Sequence, residues 1–417
     1  MTHSDRQSIH YGYDVDGDRT SLETRINNVV ETQTTYTYDG LNRVQSVTDS
    51  NTSQTTFAYN TVGLLTTIAH PNGVTTDYSY DPDRYFVTDI DHSNSGVSLG
   101  SYDYTYDDVG NRTSMSVTMS DGAGGTEIDA YTYAYDDANR LIEESYLLVG
   151  GASIDTDYQY DRAGNRTRMT VNDTEITRYT YNANDELTQI LHPNYVFEKY
   201  IYDERGNLER VEYGLDDIFD TPTSWVDYTY NAQDQMTAMS QSMGASATYA
   251  YDHVGNRIAE TNSTATTHFL WDEFSQYRDV VLETRPDAQT SDLVHYRDYT
   301  LANGMLISQT NVIDETHYFL GDAQNSTVAL ADTTGTVSAN DRFSYSAFGE
   351  LISDNTTLNT NYLYTGQYLD ASNSDLYNLR ARMYDPTLGR FTSRDTWAYN
   401  YQNPVELNRY VYVSNNP

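Results

Sequence analysis

The stretch YTYDGLNR at residues 36–43 contains the pattern that decides the fold of this 417-residue chain. Its two tyrosines are two residues apart, so in a β-strand they share one face while the threonines take the other. The residues that follow favour a tight reversal, because Asp accepts bonds from nearby backbone amides and Gly and Asn tolerate positive φ. A strand followed by a tight turn is therefore predicted here.

The same phrase, Tyr-x-Tyr-Asp or a close variant, recurs along the chain with a smallest spacing of 21 residues. A second turn, HPNG at residues 70–73, lies about half a period after the phrase, where Pro and Asn-Gly suit a reversal. Two turns per period leave two strands of ordinary length, so one repeat is predicted to be one β-hairpin. The second aromatic residue of each phrase is Tyr13, Tyr38, Tyr59, Tyr80, Tyr106, Tyr135, Tyr160, Tyr181, Tyr202, Tyr230 and Tyr251.

These eleven repeats predict an all-β fold of about twenty-two antiparallel strands. Twist accumulates in so long a sheet, so it must curl, split or close. The chain has 41 Tyr, whose rings stack along a face while their hydroxyls stay hydrated, which favours a hairpin ribbon spiralling into a hollow shell. The rival is a β-propeller with two repeats per blade, and it is disfavoured because paired repeats do not alternate in character.

Composition excludes several classes of function. The net charge of −37 repels phosphate backbones, which argues against nucleic-acid binding. The chain has no Cys for disulfides or thiolate-bound metal, and no apolar run long enough to span a membrane. Residues 1–10 are polar and do not resemble a signal peptide, so they are expected to be a leader or the end of a truncated preceding repeat. The chain is accordingly expected either to be a piece of a longer protein or to be exported without a cleaved signal.

A different and denser pattern begins at His317. Together with the repeats, it makes the chain resemble the Tyr-Asp (RHS) repeat family, with residues 11–316 as the repeats and residues 317–417 similar to the RHS repeat-associated core domain. The motifs that carry this resemblance are Tyr364-Thr365-Gly366-Gln367, Leu379-Arg380-Ala381-Arg382, Tyr384-Asp385-Pro386, Gly389-Arg390-Phe391 and Tyr412-Val413-Ser414-Asn415-Asn416-Pro417.

The resemblance implies a shell that encloses a C-terminal toxin, as in Rhs effectors and the C components of Tc toxins, with the core domain at one end. Its implied partners are that toxin cargo, which is absent from this chain, and a secretion or translocation apparatus. The implied location is secreted or at the cell surface, and no cofactor is implied. The alternative is an extracellular adhesion or wall-associated scaffold, as in teneurins. A weaker alternative is a protease that only cleaves itself.

In toxin members the core domain cuts the chain just after a DPxG-type motif, and this chain stops at Pro417, before that motif. The family's Ser-Pro-Asp-Pro stands here as Ser393-Arg394-Asp395-Thr396. The resemblance makes Asp395 the candidate catalytic acid, with Arg394 holding or tuning it. A second acid with a separated pKa would be needed, and Glu406 or Asp385 is the candidate. The simpler interpretation is that Arg394 and Asp395 form a surface turn pair.

Three further groups of residues have a possible function. Asp14, Asp16 and Asp18 alternate as in a calcium loop, but Gly17 and Glu23 are misplaced for one, so an ordinary turn is favoured. The nine His show no paired ligand spacing, so no metal site is expected. The arginines that follow the Gly-Asn turns are predicted to pair with Asp residues of those turns; they are Arg112, Arg166 and Arg257.

Overall fold

The computed structural model describes residues 2–4, 7–120, 126–147, 153–215, 222–275, 278–313, 315–352, 358–370, 375–398 and 407–417. These ranges contain no α-helix, which confirms the all-β prediction. Short 3-10 turns lie at Tyr364–Gly366 and Val413–Asn415. The strands are β1 (Thr2–Ser4), β2 (Gln7–Tyr13), β3 (Arg19–Ile26), β4 (Val29–Tyr38), β5 (Val44–Thr48), β6 (Gln54–Tyr59), β7 (Leu65–Ala69), β8 (Val74–Tyr80), β9 (Val87–Asn94), β10 (Val97–Tyr106), β11 (Arg112–Ser120), β12 (Thr126–Tyr135), β13 (Leu141–Leu147), β14 (Ser153–Tyr160), β15 (Arg166–Val171), β16 (Glu175–Tyr181), β17 (Leu187–Leu191), β18 (Val196–Tyr202), β19 (Leu208–Leu215), β20 (Ser224–Tyr230), β21 (Met236–Gln241), β22 (Ser246–Tyr251), β23 (Arg257–Asn262), β24 (Thr266–Asp272), β25 (Asp279–Pro286), β26 (Leu293–Ala302), β27 (Met305–Asn311), β28 (Thr316–Gly321), β29 (Thr327–Ala331), β30 (Val337–Arg342), β31 (Tyr368–Leu369), β32 (Tyr377–Leu379), β33 (Arg382–Asp385) and β34 (Arg390–Phe391).

Strands β1 to β30 form one sheet in which each strand pairs antiparallel with the next strand along the chain. The order in this 30-stranded sheet is therefore the order in the sequence. Each Tyr-Asp repeat contributes one hairpin, as predicted, and the continuous pairing is a ribbon rather than the separate blades of a propeller. Strands β31 to β34 form a second, four-stranded sheet.

The ribbon curls until its first strands pack against strands far along the chain. Gln7 on β2 donates to Thr284 Oγ1 on β25 at 2.7 Å, and Asn303 donates to the Tyr59 hydroxyl at 2.8 Å. A shared core of buried apolar side chains joins the two regions, and we call the ribbon face that carries it the inner face. Its members include Ile9, Leu22, Ile26, Val47, Phe57 and Ile68 from early strands and Leu270, Val281, Leu282, Leu301 and Ile307 from late ones.

Side chains alternate along the strands as the phrase predicts. Tyr36 is buried on the inner face at 6% exposure, while Thr35 and Thr37 are exposed. Full burial of a large side chain stabilises the fold by roughly 1.5–3 kcal/mol. The first tyrosine of a phrase therefore supplies core packing, and the alternating threonines supply the outer face.

In most repeats the second tyrosine ties the hairpin to the strand before it. Tyr38 ends β4, and its hydroxyl donates at 2.8 Å to the carbonyl of Arg19, the first residue of β3. After the last Tyr-Asp phrase, Trp271-Asp272 stands where another Tyr-Asp pair would be expected. The Trp271 indole N–H donates at 2.8 Å to the Arg257 carbonyl, at the start of β23. The same bond joins Tyr59 to Val44, Tyr80 to Leu65, Tyr106 to Val87, Tyr135 to Arg112, Tyr160 to Leu141, Tyr181 to Arg166 and Tyr251 to Met236.

Each phrase also bends its strand. The pairing of β4 with β5 shifts register between Thr37 and Tyr38, and a β-bulge of this kind increases local bending and twist. The turn that follows is closed by Asp39, whose Oδ1 accepts from the amides of Leu41 and Arg43 at 2.8 and 3.1 Å. Repetition of bulge and turn at one rim, which we call the Tyr-Asp rim, accounts for a ribbon that curls instead of lying flat.

The hairpin ribbon continues beyond the last clear Tyr-Asp phrase. The boundary predicted between residues 316 and 317 lies within β28, and the sheet continues beyond it to Arg342. Asp322 repeats the geometry of the Tyr-Asp turn, since its Oδ1 accepts from the amides of Gln324 and Ser326 at 2.9 and 2.7 Å. The region similar to the core domain therefore supplies ribbon strands as well as the small second sheet.

The described residues of the ranges 344–352, 358–370, 375–398 and 407–416 include many that lie against the inner face. The Ala347 amide donates to Glu144 on β13 at 2.6 Å, and Arg166 on β15 donates to the Thr387 carbonyl at 3.3 Å. Cavities of about 310 and 160 Å³ remain among the described residues of this region. The space inside the curl is thus occupied largely by the end of this same chain.

Candidate functional site

The arginine of a Tyr-Asp turn faces outward in one type of turn. In the turn Asp39–Arg43, Asn42 takes the positive φ of 58°, and the next residue is Arg43. Arg43 Nε donates to Asp39 Oδ2 at 2.7 Å. Arg140 makes the same bond to Asp136 at 2.8 Å. Both pairs lie at the partly exposed rim, where an ion pair contributes little.

In the other type of turn the arginine faces inward, so the predicted pairing of Arg112, Arg166 and Arg257 with turn Asp residues is wrong. A glycine takes the positive φ, and the following Asn occupies the position that bonds the turn Asp. Asn165 Nδ2 donates to Asp161 Oδ2 at 3.0 Å, for example. The arginine comes one residue later and therefore points to the opposite face, because strand side chains alternate.

The inward arginines hold the end of the chain against the ribbon. Arg166 is 5% exposed, and its guanidinium carbon lies 4.6 Å from the ring centroids of both Tyr158 and Phe348. Arg257 is 3% exposed and lies 4.9 Å from the Tyr368 ring. Stacking on aromatic faces is worth more for a desolvated cation than for an exposed one. These two side chains thus join repeat strands to the last hundred residues.

A buried carboxyl group reinforces the same junction. Glu144 is 1% exposed; it accepts from the Ala347 amide and, at 3.3 Å, from the Tyr158 hydroxyl. Burial raises its pKa to about 7, although the charges of Arg112 and Arg166 act in the opposite direction. The protonation of Glu144 is therefore sensitive to pH near neutrality.

Asp395 forms its ion pair with Arg382. Arg382 Nη2 donates to Asp395 Oδ2 at 2.9 Å, and the Trp397 amide donates to the other carboxylate oxygen at 2.8 Å. The guanidinium of Arg382 stacks 3.5 Å from the Phe391 ring and also donates to the Arg409 carbonyl at 3.1 Å. Burial lowers the pKa of Arg382, and Asp395 opposes that shift. The pair combines a fixed cation with a carboxylate that solvent can still reach.

The other predicted members of the site are placed differently. Arg394 is exposed, and its backbone amide donates to the Gly206 carbonyl at 3.2 Å; the guanidinium that the structure pairs with Asp395 belongs to Arg382. Glu406 lies outside the described residues. Asp385 closes the turn before β34 by accepting from the Thr387 amide at 3.0 Å, and burial raises its pKa to about 6.

A sequence signal for Arg382 existed in the hairpin of β33 and β34. Asp385 pairs with Arg390 and Tyr384 with Phe391, so continuing this register places Arg382 opposite Ser393. The Thr392 amide donates to the Met383 carbonyl at 3.0 Å, which shows that the pairing continues. Asp395 is two residues beyond Ser393, so in an extended strand it shares the face of Ser393 and lies within reach of Arg382.

The end of the chain is fixed to the Tyr-Asp rim by asparagines. Asn408 Nδ2 donates to Asn165 Oδ1 at 2.7 Å, and Asn415 Nδ2 donates to the Gly164 carbonyl at 2.8 Å. Asn416 Nδ2 donates to Asn111 Oδ1 at 2.8 Å. The last residues therefore lie between two Gly-Asn turns of the ribbon.

The proposed calcium loop has the geometry of an ordinary turn. Asp14 Oδ1 accepts from the amides of Asp16 and Asp18 at 3.0 and 2.9 Å, and Glu23 pairs with Arg25. Among the described residues, no group of three or more His, Asp or Glu is arranged to hold a metal ion. The described part of the chain also contains no helix long and apolar enough to cross a membrane.

Comparison with known proteins identifies relatives of this chain. The chain is 28% identical over 320 residues to the tRNA nuclease WapA of Bacillus subtilis (strain 168), and 26% identical over 320 residues to the tRNA3(Ser)-specific nuclease WapA of Bacillus spizizenii. Each match covers 76% of this chain and 10% of the relative. The chain therefore spans about a tenth of the length of these curated relatives.

Solved structures share the fold. The crystal structure of TcdB2-TccC3-TEV matches with a TM-score of 0.57 at 16% identity, covering 98% of this chain and 23% of that one. The Tc holotoxin pore of Photorhabdus luminescens matches with a TM-score of 0.56 at 16% identity, covering 96% and 22%. A family model described as Teneurin YD-shell matches residues 92–417. The chain belongs to the teneurin YD-shell family.

Proposed function

We propose that this chain forms the plugged end of an encapsulating shell in a secreted polymorphic toxin. The observation that carries the proposal is the packing of the described residues after Arg342 against the inner face of a curled ribbon, where Arg166 and Glu144 bond Thr387 and Ala347. The shared fold of the Tc toxin structures supports the shell, and the nuclease names of the WapA relatives support a toxin as its cargo. The expected location is outside the producing cell.

The cargo in this proposal is the toxin segment of the parent protein. Cavities of about 310 and 160 Å³ hold at most a few side chains, so a cargo of domain size needs additional wall from the rest of that parent. The net charge of −37 keeps such a wall soluble and gives it no attraction for the nucleic acid that a nuclease cargo would attack.

Protection from a protease tests encapsulation. A recognition site for a specific protease is placed within the cargo of the parent protein, and the same site is placed in the exposed turn at Met243 as a matched control. We expect cleavage of the cargo site to be at least about tenfold slower than cleavage of the turn site. Equal rates would contradict encapsulation and favour the scaffold alternative.

We further propose that Asp395 serves self-cleavage of the parent, with Arg382 as the residue that positions its carboxylate. A carboxylate held by a guanidinium at 2.9 Å can activate water, and a second acid must protonate the leaving amine. Glu406 and Asp385 remain the candidates for that acid. The exposed position of Asp395, with its side chain 40% accessible, leaves room for a peptide to approach.

Variants of a chain extended by its native residues beyond Pro417 test this step. We expect Asp395→Asn to abolish cleavage and Arg382→Met to slow it at least tenfold, while Arg394→Ala leaves the rate unchanged. The appearance of the cleaved fragment on a gel gives the rates. Full-rate cleavage by Asp395→Asn would exclude the proposal.

A further inference from the structure

Two histidines are buried near each other on the inner face of the early ribbon. His70 follows β7 and is 6% exposed; His92 lies on β9 and is 2% exposed. A threonine on the neighbouring strand holds each ring, with Thr55 Oγ1 3.3 Å from His70 Nδ1 and Thr76 Oγ1 2.9 Å from His92 Nδ1. The Nε2 atom of His70 is buried without a hydrogen-bond partner, whereas the backbone of Gly321 is a partner for His92 that favours its protonated form. Both rings are thus placed as neutral groups.

Strand β28 from the far end of the ribbon covers these rings. The Tyr318 ring centroid lies 5.1 Å from that of His70, and the backbone of Gly321 faces His92. On the other side of His92, the Tyr102 ring lies 5.8 Å away in an edge-on contact. A change in the charge of either imidazole therefore acts at the contact between the early ribbon and β28.

The surroundings provide no strong compensation for a positive charge. Asp49 and Asp322 are already bonded by the backbone amides of their own turns, and Arg112 lies near Asp322. Burial accordingly lowers the pKa of His70 to about 3 and that of His92 to about 4. The titratable side chains packed around the two rings and on β28 are those of Asp49, Tyr78, Tyr102, His317, Tyr318 and Asp322. Asp279 and Arg380 line the cavity beside His70 and form an ion pair with each other.

We propose that His70 and His92 form an acid-sensitive latch between the early ribbon and β28, closed when both rings are neutral and released when they are protonated. A protonated ring would be a buried charge, which at His70 has no acceptor for its Nε2–H and at His92 has only the Gly321 backbone; the second ring would add a like charge close by. As a means of opening a shell, the latch rests on the proposed function; as a property of this packing, it does not.

The direction of the pH effect follows from the two states. An opened contact exposes the histidines, which then take up protons with an ordinary pKa of about 6.5. The closed contact takes up protons only near pH 3 to 4. Closure is therefore unaffected above pH 6.5. Each pH unit below 6.5 shifts the equilibrium toward the open form by about tenfold per histidine, or about a hundredfold for both.

Hydrogen exchange of β28 measures opening in the full chain without any cargo. Amide protection of residues 316–321 is compared at pH 7.5 and 5.5 after correction for intrinsic exchange rates. We expect protection to fall by about a hundredfold in the wild-type protein, and at least tenfold less in a His70→Asn/His92→Asn variant. Asparagine keeps a polar atom near the position of Nδ1 and cannot be protonated in this range. His253→Asn, at an exposed turn, is the matched control and should behave as wild type.

Equal loss of protection in the wild type and the double variant would overturn the latch. A second measurement covers the case in which the double variant does not fold. In the wild-type protein, imidazole NMR signals of the two rings should not titrate between pH 8 and 5 while the contact is closed. Titration with a pKa near 6.5 would overturn the proposal. Neither outcome bears on cargo protection, so this test and the encapsulation test fail independently.

Discussion

The turns that follow Tyr38 and Tyr160 differ by one residue and place an arginine on opposite faces of the ribbon. Arg43 lies at the rim and bonds Asp39, whereas Arg166 lies inside and bonds the Thr387 carbonyl. The outer pair is partly exposed and competes with water. The inner cation is desolvated, so it depends on aromatic rings and a carbonyl to offset that cost. The same residue type is therefore replaceable at the rim and required inside.

The largest expected effect is the loss of an inner arginine. Arg166→Ala removes contacts with the rings of Tyr158, Tyr179 and Phe348 and the bond to Thr387, and it leaves a cavity, so we expect the free energy of unfolding to fall by about 4 kcal/mol. Arg43→Ala is the matched control: it removes a partly exposed ion pair and a ring contact with Tyr59 at 4.4 Å, with an expected loss of about 1 kcal/mol. Urea denaturation of both variants gives the comparison. Similar losses would show that the two faces do not differ in this way.

The next effect concerns Glu144 beside Arg166. Because the folded protein raises its pKa from 4.5 to about 7, the folded state binds a proton more tightly than the unfolded state does. Stability from this group is thus fully present below pH 4.5 and is lost as pH rises to 7, by about 3 kcal/mol. Glu144→Gln should abolish that loss.

Unfolding free energies of the wild type and Glu144→Gln at pH 5 and 7.5 measure this difference. Other titrating groups contribute equally in both proteins. The contribution of Glu144 is therefore the difference between the wild type and the variant in how the unfolding free energy changes with pH. Identical slopes would mean that the hydrogen bonds from Ala347 and Tyr158, together with the charges of Arg112 and Arg166, offset the effect of burial on the pKa of Glu144. That result would contradict a desolvated carboxyl group beside the inner arginines.

The smallest effect concerns the tyrosine bond between hairpins, which both types of turn share. Tyr160→Phe removes the hydroxyl that donates to the Leu141 carbonyl at 2.8 Å, and we expect a loss of about 1 kcal/mol. Tyr195→Phe, on a side chain 71% exposed, is the control and should change stability little. Thermal melting of the two variants provides the measurement. An equal loss of stability in the two variants would show that the Tyr160 hydrogen bond does not stabilise the fold.

Local features of the fold were predictable from the sequence. The alternation around Tyr36 and the turn closed by Asp39 depend on residues within one hairpin, and both are confirmed. The turn at His70 is confirmed as well, with the His70 amide donating to the Val74 carbonyl at 2.8 Å. Such features depend on strand alternation and turn chemistry, which operate over a few residues.

Long-range features were not predictable in the same way. The direction of Arg166 depends on a single added residue, and its partner Thr387 is more than two hundred positions away. The extension of the ribbon to Arg342 was hidden because the denser pattern after His317 lacks the Tyr-x-Tyr-Asp phrase, although Asp322 closes the same kind of turn. For Asp395, the sequence neighbour Arg394 was the obvious choice, while hairpin register brings in Arg382.

The neighbour-by-neighbour strand order has a consequence for how the chain folds. Every strand from β2 to β30 needs only the strand made just before it, so pairing can follow synthesis or export from the N-terminus onward. Closure is different, because β2 meets β25 through Gln7 and Thr284, which are far apart in the chain. The slow step should therefore be the final docking of the late strands and the C-terminal residues. A growing ribbon would stay open to its surroundings until its last part arrives.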